Sequence, residues 1–283
     1  MYLTLRFRVY TRSLVKVAHR LEEGKTVVSF MKEIDWLQEG IYMELRRFVL
    51  NGEPCIIHYP ERPNGFAILL LANLHEFLPS QGEHYWQRQE TRRKMLDAFL
   101  ARGYTVYFSN CFGQHMGKEA AFKLARDLYE YVKRTEILND RIHIIAENLG
   151  AKLALRFLEN NPEALRSIVF LNPLFSLRWQ GELLKEQPFV YQRFLQEVAK
   201  AYQCPEEESE TLILKEPLFV TVDHCPYKII HILKNGMYDE KWVRMYQQYL
   251  TGQGPALHML LREKEHDIFP IAQELFVQTE VEL

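Results

Sequence analysis

The 283-residue sequence is short of several things, and each scarcity removes a class of explanation. Neither sign of charge dominates: 35 basic residues stand against 37 acidic ones, so no nucleic-acid polymer or anionic membrane surface is expected as the main partner. Long apolar runs are missing, and the most apolar one, Phe66 to Leu74, is too short to span a bilayer. The N-terminus carries Arg6 and Arg8 inside its apolar pattern and lacks the unbroken apolar stretch of a signal peptide. Cysteines are few (Cys55, Cys111, Cys204 and Cys225) and lie far apart without metal-ligand spacing. Free, mostly buried thiols in a reducing compartment follow, with the cytoplasm as the expected location. Histidines His75, His84, His115 and His266 fall in loops, but no pair has the close spacing of a metal site on one element. They read as scattered surface residues, and no metal or other cofactor is expected. Repeats and low-complexity linkers are absent as well.

What is present is a large apolar complement, 47% of residues with 13% aromatic, ample for a sizeable core. Residues 1–41 look like a helical extension. Thr11 to Glu23 and Val27 to Leu37 each carry an apolar stripe at helical spacing, too short for the two to bury each other. They must pack on the main domain or on another chain, which makes residues 1–40 a candidate self-association surface. A hairpin follows, Tyr42 to Val49 and Pro54 to Tyr59, turned at Asn51-Gly52. Phe66 to Ala72 is a continuous apolar run, as expected of a strand buried on both faces of a parallel sheet.

From there strands and helices alternate. Strands are expected at Tyr104–Phe108, Ile142–Ile145, Ser167–Leu171, Tyr227–Leu233 and Leu257–Leu261. Helices are expected at Arg88–Ala101, Lys118–Arg134, Ala151–Leu158, Lys241–Leu250 and Pro270–Gln278. This alternation predicts an α/β fold, a doubly wound and mostly parallel sheet with right-handed crossovers. The proline-punctuated stretch 176–226, with one clear helix at Tyr191–Tyr202, is too long for a connection and reads as an inserted helical cap. The core is then 42–175 together with 227–283.

The chain is organised around Arg141-Ile-His-Ile-Ile-Ala-Glu-Asn-Leu-Gly-Ala-Lys-Leu-Ala154, a short strand, a sharp small-residue turn and a helix. That is the setting of a nucleophile elbow, Gly-x-Ser-x-Gly. Here Ala146 stands for the first glycine, Gly150 for the second, and Asn148 holds the nucleophile position. With its surroundings, the segment from about Met43 to the C-terminus resembles the α/β-hydrolase superfamily. The resemblance tells which turns carry chemistry. The oxyanion turn, usually His-Gly, is Asn73-Leu74-His75-Glu76 without glycine. The usual Asp-x-x-Gly-x-Gly turn is Ser109-Asn-Cys-Phe-Gly-Gln-His-Met-Gly117, where Gly113 fits and Ser109 or Asn110 takes the aspartate place. The acid position after the strand at 227–233 falls on Asn235, with Asp239 the nearest carboxylate, and the rarer acid position falls on Asn172. His266 follows the last strand, where the catalytic histidine belongs.

A carboxamide neither ionises nor attacks at neutral pH, although it donates and accepts hydrogen bonds. The triad-equivalent positions are therefore His266, Asn148, Asn235 and Asp239, and Asn73, Leu74, Leu149 and Asn172 would line a ligand site. The residues point to a non-hydrolytic pseudoenzyme that binds a small molecule or a protein partner. The rival readings are an esterase- or thioesterase-like hydrolase and a structural role through residues 1–40. In the first, His266 would act with a non-standard partner: water, Ser109, Cys111 or Asp239.

Overall fold

A computed structural model describes residues 44–72, 78–79, 82–218, 222, 225–233 and 257–280. All of them belong to one unit, Glu44–Leu283. The extension read at 1–41 and the helix at Lys241–Leu250 lie outside the described residues.

Alternation and turn chemistry produce the first two strands. β1 (Glu44–Leu50) and β2 (Glu53–Tyr59) pair antiparallel, Leu50 opposite Glu53. Asn51 and Gly52 between them both take positive φ, 51° and 84°. That is the two-residue turn whose twist suits a hairpin, and asparagine and glycine are the residues that reach it at least strain. β3 (Ala67–Leu71) is buried at every residue, as are β4 (Thr105–Ser109), β5 (Ile142–Glu147) and β6 (Leu165–Leu171). β7 (Tyr227–Leu233) and β8 (Leu257–Leu261) complete a sheet of order β1-β2-β4-β3-β5-β6-β7-β8. β1, β2 and β4 are joined antiparallel, and every pairing from β4 through β8 is parallel.

Helices cover both faces, as a parallel sheet buried on both sides requires. α1 (Tyr85–Arg88) and α2 (Glu90–Ala101) link β3 to β4, α3 (Glu119–Thr135) links β4 to β5, and α4 (Gly150–Asn160) links β5 to β6. α3 and α4 pack Leu128, Val132, Leu153 and Phe157 against Leu69, Ile144, Ile168 and Ile229 of the sheet. On the other face α2 meets α8 (Ile268–Glu280) through Phe99 and Phe276, ring centroids 5.8 Å apart. Between β6 and β7 the chain forms three helices, α5 (Leu177–Leu184), α6 (Pro188–Tyr202) and α7 (Glu206–Leu214). The sequence showed one of these clearly. α5 opens on Ser176, whose hydroxyl accepts from Trp179 N–H, and α7 opens on three consecutive glutamates where the helix dipole favours them.

The histidines correct the sequence reading. His84 and His115 are fully buried rather than on the surface, and so are His58 and His143. His58 and His84 share one proton across a 2.8 Å Nε2–Nε2 hydrogen bond. Gly117 N–H donates to His115 Nδ1 at 3.0 Å, so Nε2 carries the proton and donates to Ala72 O at 3.3 Å. His143 accepts from Ser167 at Nδ1 and donates from Nε2 to Glu280, which also accepts the Tyr104 hydroxyl. This last group ties the end of α8 to β5 and β6. Burial disfavours the charged form of each imidazole, and the hydrogen bonds offset part of the hydration lost on entering the interior.

Burial pulls His58 down to about 4, and burial with His58 and Arg47 nearby pulls His84 down to about 3. Burial holds His115 at about 4 against the favourable Ala72 carbonyl. A histidine whose folded value lies below its unfolded value of about 6.5 contributes stability that is complete above pH 6.5 and lost as pH falls towards the folded value. The free energy of urea unfolding should therefore drop by a few kcal/mol between about pH 7.5 and 5, before most carboxylates protonate. Equal stability at the two pH values would contradict buried neutral histidines.

Candidate functional site

β3 and β5 are neighbours, but the chain leaves β3 for β4 on one side and leaves β5 for β6 on the other. The connections diverge at the carboxyl ends of these two strands, where such sheets form their crevice. The turn after β5 stands there. Asn148 reverses the chain with φ 51°, and α4 starts two residues later. Its N–H donates to Leu171 O at 3.1 Å, and its carbonyl accepts from Ala151 N–H at 3.1 Å and Leu174 N–H at 3.0 Å. Gly150 lies against β3 so closely that a Cβ would overlap the Leu71 carbonyl. Here glycine is needed for space. The Asn148 carboxamide is half-buried and makes no hydrogen bond to any described residue.

His266 lies in a 3-10 turn, Arg262–Asp267, between β8 and α8. β5 to β8 are parallel, so Asn148 and His266 follow strand ends on the same edge of the sheet. The imidazole is 67% exposed, and its Nε2 is 3.3 Å from Asp267 Oδ1. Between the two positions sits a group that the sequence reading missed. Arg92 of α2 donates from Nη2 to Glu147 Oε1 at 2.7 Å, and its Nη1 is 3.7 Å from Glu265 Oε2. Burial works against the Arg92 charge, but Glu147, with Tyr85 and Glu265 adding to it, outweighs burial and the guanidinium titrates above its ordinary value. The available signal was Glu147 itself, a carboxylate ending a strand that is otherwise apolar apart from His143.

The comparisons with known proteins bear on this frame. No protein-family profile matches the chain, and no curated protein matches it in sequence. Solved structures do. An esterase from the bacterial hormone-sensitive lipase family superposes with TM-score 0.56 at 15% identity, over 85% of this chain and 86% of that one. Est1E from Butyrivibrio proteoclasticus gives 0.54 at 11% identity, over 84% and 99%. A proline iminopeptidase-related protein from Thermus thermophilus gives 0.53 at 13% identity, over 84% and 100%. The chain has the α/β-hydrolase fold. At these identities the likeness speaks for the fold and leaves the chemistry to the residues.

Within the hydrolase frame, Asn73, Leu74, Asn235 and Asp239 lie outside the described residues. Asn172 follows β6 with φ 42°; its N–H donates to Ile230 O at 2.9 Å and its Oδ1 accepts Ile232 N–H at 2.7 Å, so the side chain extends the β6–β7 ladder. Asn110, at the aspartate place, donates to Leu78 O at 2.9 Å and accepts Leu78 N–H at 2.6 Å. The turn it opens is held left-handed at Cys111, Phe112, Gly113, Met116 and Gly117. Ser109 commits its hydroxyl to Pro54 O at 3.0 Å, and burial pushes the Cys111 thiol far up, so neither is an activated nucleophile.

Leu149 is buried with Met116 in one apolar cluster with Leu177 and Leu184 of α5, Phe194, Leu195 and Val198 of α6 and Ile213 of α7. Polar bonds tie the start of α5 and the segment after α7 to α4. Lys152 of α4 reaches Glu216 Oε1 at 2.6 Å, Glu216 Oε2 accepts Leu177 N–H at 2.7 Å, and Ser176 donates to Pro217 O at 2.6 Å. Among the described residues no group of three His, Cys, Asp or Glu is arranged to hold a metal, and no helix is long and apolar enough to cross a membrane.

Two glycines separate the constraint at the elbow from a general effect of added methyls. Gly150→Ala should lose about 2 kcal/mol or more of unfolding free energy, because backbone must move to admit the methyl. Gly181→Ala, in α5 with its nearest neighbours at 3.6 Å, should be neutral or gain up to about 1 kcal/mol from helix propensity. Equal effects in denaturant titrations would remove the steric account.

Proposed function

We propose that the protein is a non-hydrolytic α/β-hydrolase-fold pseudoenzyme that binds a small molecule or a protein partner at the elbow end of the sheet. The observation that carries this reading is the half-buried carboxamide of Asn148 on a left-handed turn, in the place of a nucleophile. A carboxamide there has no proton for His266 to take, yet it presents a donor and an acceptor to a ligand. Asn73, Leu74, Leu149 and Asn172 are the proposed surroundings of that ligand. Residues 176–226 act in this reading as a cap, supported by the apolar cluster that joins α5, α6 and α7 to Leu149. The extension 1–41 is proposed to mediate self-association, and the cytoplasm is the proposed location.

One observation favours a second reading, an esterase- or thioesterase-like hydrolase. The exposed His266 imidazole has a carboxylate, Asp267, 3.3 Å from Nε2, and such a pair can activate water. Asp239 would be the further acid in that case.

Release of p-nitrophenol from the acetate and butyrate esters separates the two. The native protein is expected to stay at the level of His266→Ala, because loss of a serine nucleophile removes about a thousandfold or more in rate. Asn148→Ser restores a hydroxyl without an acid and should recover weak turnover at most, with Asn148→Ser plus Asn235→Asp exceeding either change alone. Brisk native hydrolysis that disappears in His266→Ala would overturn the pseudoenzyme reading and establish the hydrolase.

A further inference from the structure

Glu147 immediately precedes Asn148, and Glu265 immediately precedes His266. One guanidinium touches both carboxylates. Arg92 and Glu147 side chains are each 7% exposed, and Glu265 is 25% exposed. The pair is a costly one to bury. Among the described residues, Arg92 Nε and Nη1 and Glu147 Oε2 have no hydrogen-bond partner, so each gives up hydration without a full return. An apolar trio of similar volume would fill the same space at lower cost. What it could not do is join α2, the end of β5 and the turn after β8 at one point. The surroundings add to the fixity. The guanidinium lies 6.0 Å from the centroid of the buried Trp86 ring, and Phe99 of α2 packs against Tyr104, just before β4, and Phe276 of α8. Arg92 is thus mounted on a helix packed against its neighbours, with one arm on the elbow strand and the other on the histidine turn.

We propose that Arg92 is a positioning residue: through Glu147 and Glu265 it sets where the His266 turn stands relative to Asn148. This rests on the reading of that edge as one site, and it adds the element that holds the site's two halves in register. The arms differ in strength. The elbow contact is a short, buried charge-assisted hydrogen bond, whereas the turn contact is longer and partly solvated. The histidine turn is therefore the half that moves when the bridge is cut.

A thiol placed at position 148 reads this register, because its alkylation by iodoacetamide is faster when a nearby imidazole favours the thiolate. The full-length chain carrying Asn148→Cys is alkylated across a pH series and followed by peptide mass spectrometry, which resolves position 148 from the four native cysteines. Adding His266→Ala should slow the reaction at neutral pH by about tenfold and move its pH profile up. Adding Glu265→Ala, which cuts only the solvated arm and leaves no buried orphan charge, should bring the rate to within about twofold of the His266→Ala level. Arg92→Met with Glu147→Gln removes the whole bridge without leaving an unpaired buried carboxylate and should do the same. An undiminished rate in both bridge variants would overturn the positioning role while leaving the shared site intact. No effect of His266→Ala would end the shared-site reading, and the positioning role with it.

Discussion

The close approach of α4 to β3 at Gly150 is the constraint from which the rest of this site follows. Without a side chain there, the first turn of α4 sits on the Leu71 carbonyl, and the chain leaving β5 has only Asn148 and Leu149 in which to reverse. A reversal that short forces a left-handed residue, and φ 51° at Asn148 is the result. That conformation costs non-glycine residues roughly 1–2 kcal/mol, with asparagine among the least penalised. The turn between β5 and α4 therefore carries a residue suited to its left-handed conformation, and a carboxamide does not attack at neutral pH.

Asparagine after two other strands also has a local physical reason. Asn172 is again left-handed, at φ 42°, and lends its side-chain oxygen to the N–H of Ile232. Asn110 both donates to and accepts from the Leu78 backbone, a pairing an ionised aspartate lacks the donor to make. In the sequence Asn172 reads as a vacated acid position, and Asn110, or Ser109, as the occupant of an aspartate place. In the folded chain Asn172 and Asn110 are backbone-supporting amides, each bonded to a strand or loop more than 30 positions away. The alternation of apolar runs announced which strands and helices exist, because burial on two faces is written locally. The partners of a side-chain amide are not.

The buried histidines show the same divide. Nothing adjacent in sequence announces that His58 faces His84, or that His143 bridges Ser167 and Glu280, since each partner arrives through strand pairing or helix docking. Loop position suggested exposure for His84 and His115. Both are instead fully buried: His84 pairs with His58 through Nε2, and His115 bonds Gly117 N–H at Nδ1 and Ala72 O at Nε2. The helical segment 177–214 was legible as an interruption of the α/β rhythm. That Glu216 would return to meet Lys152 and Leu177 was not, because both ends of an insertion must be placed before their charges can pair.

These contacts concentrate polar and strained features on one edge of the sheet, around a position that has no nucleophile. A fold kept only for stability would be expected to relax there, since left-handed residues and incompletely paired buried charges each subtract from a small net free energy. Arg92, Glu147 and Glu265 join that edge at a cost that apolar residues would avoid. The left-handed turn at Cys111–Gly117 stores further strain, and the Tyr202 hydroxyl on α6 binds Met116 O within it at 3.2 Å. Left-handed residues thus follow β4, β5 and β6 alike, at Cys111–Gly117, Asn148 and Asn172, and α6 is bonded to the first of these turns.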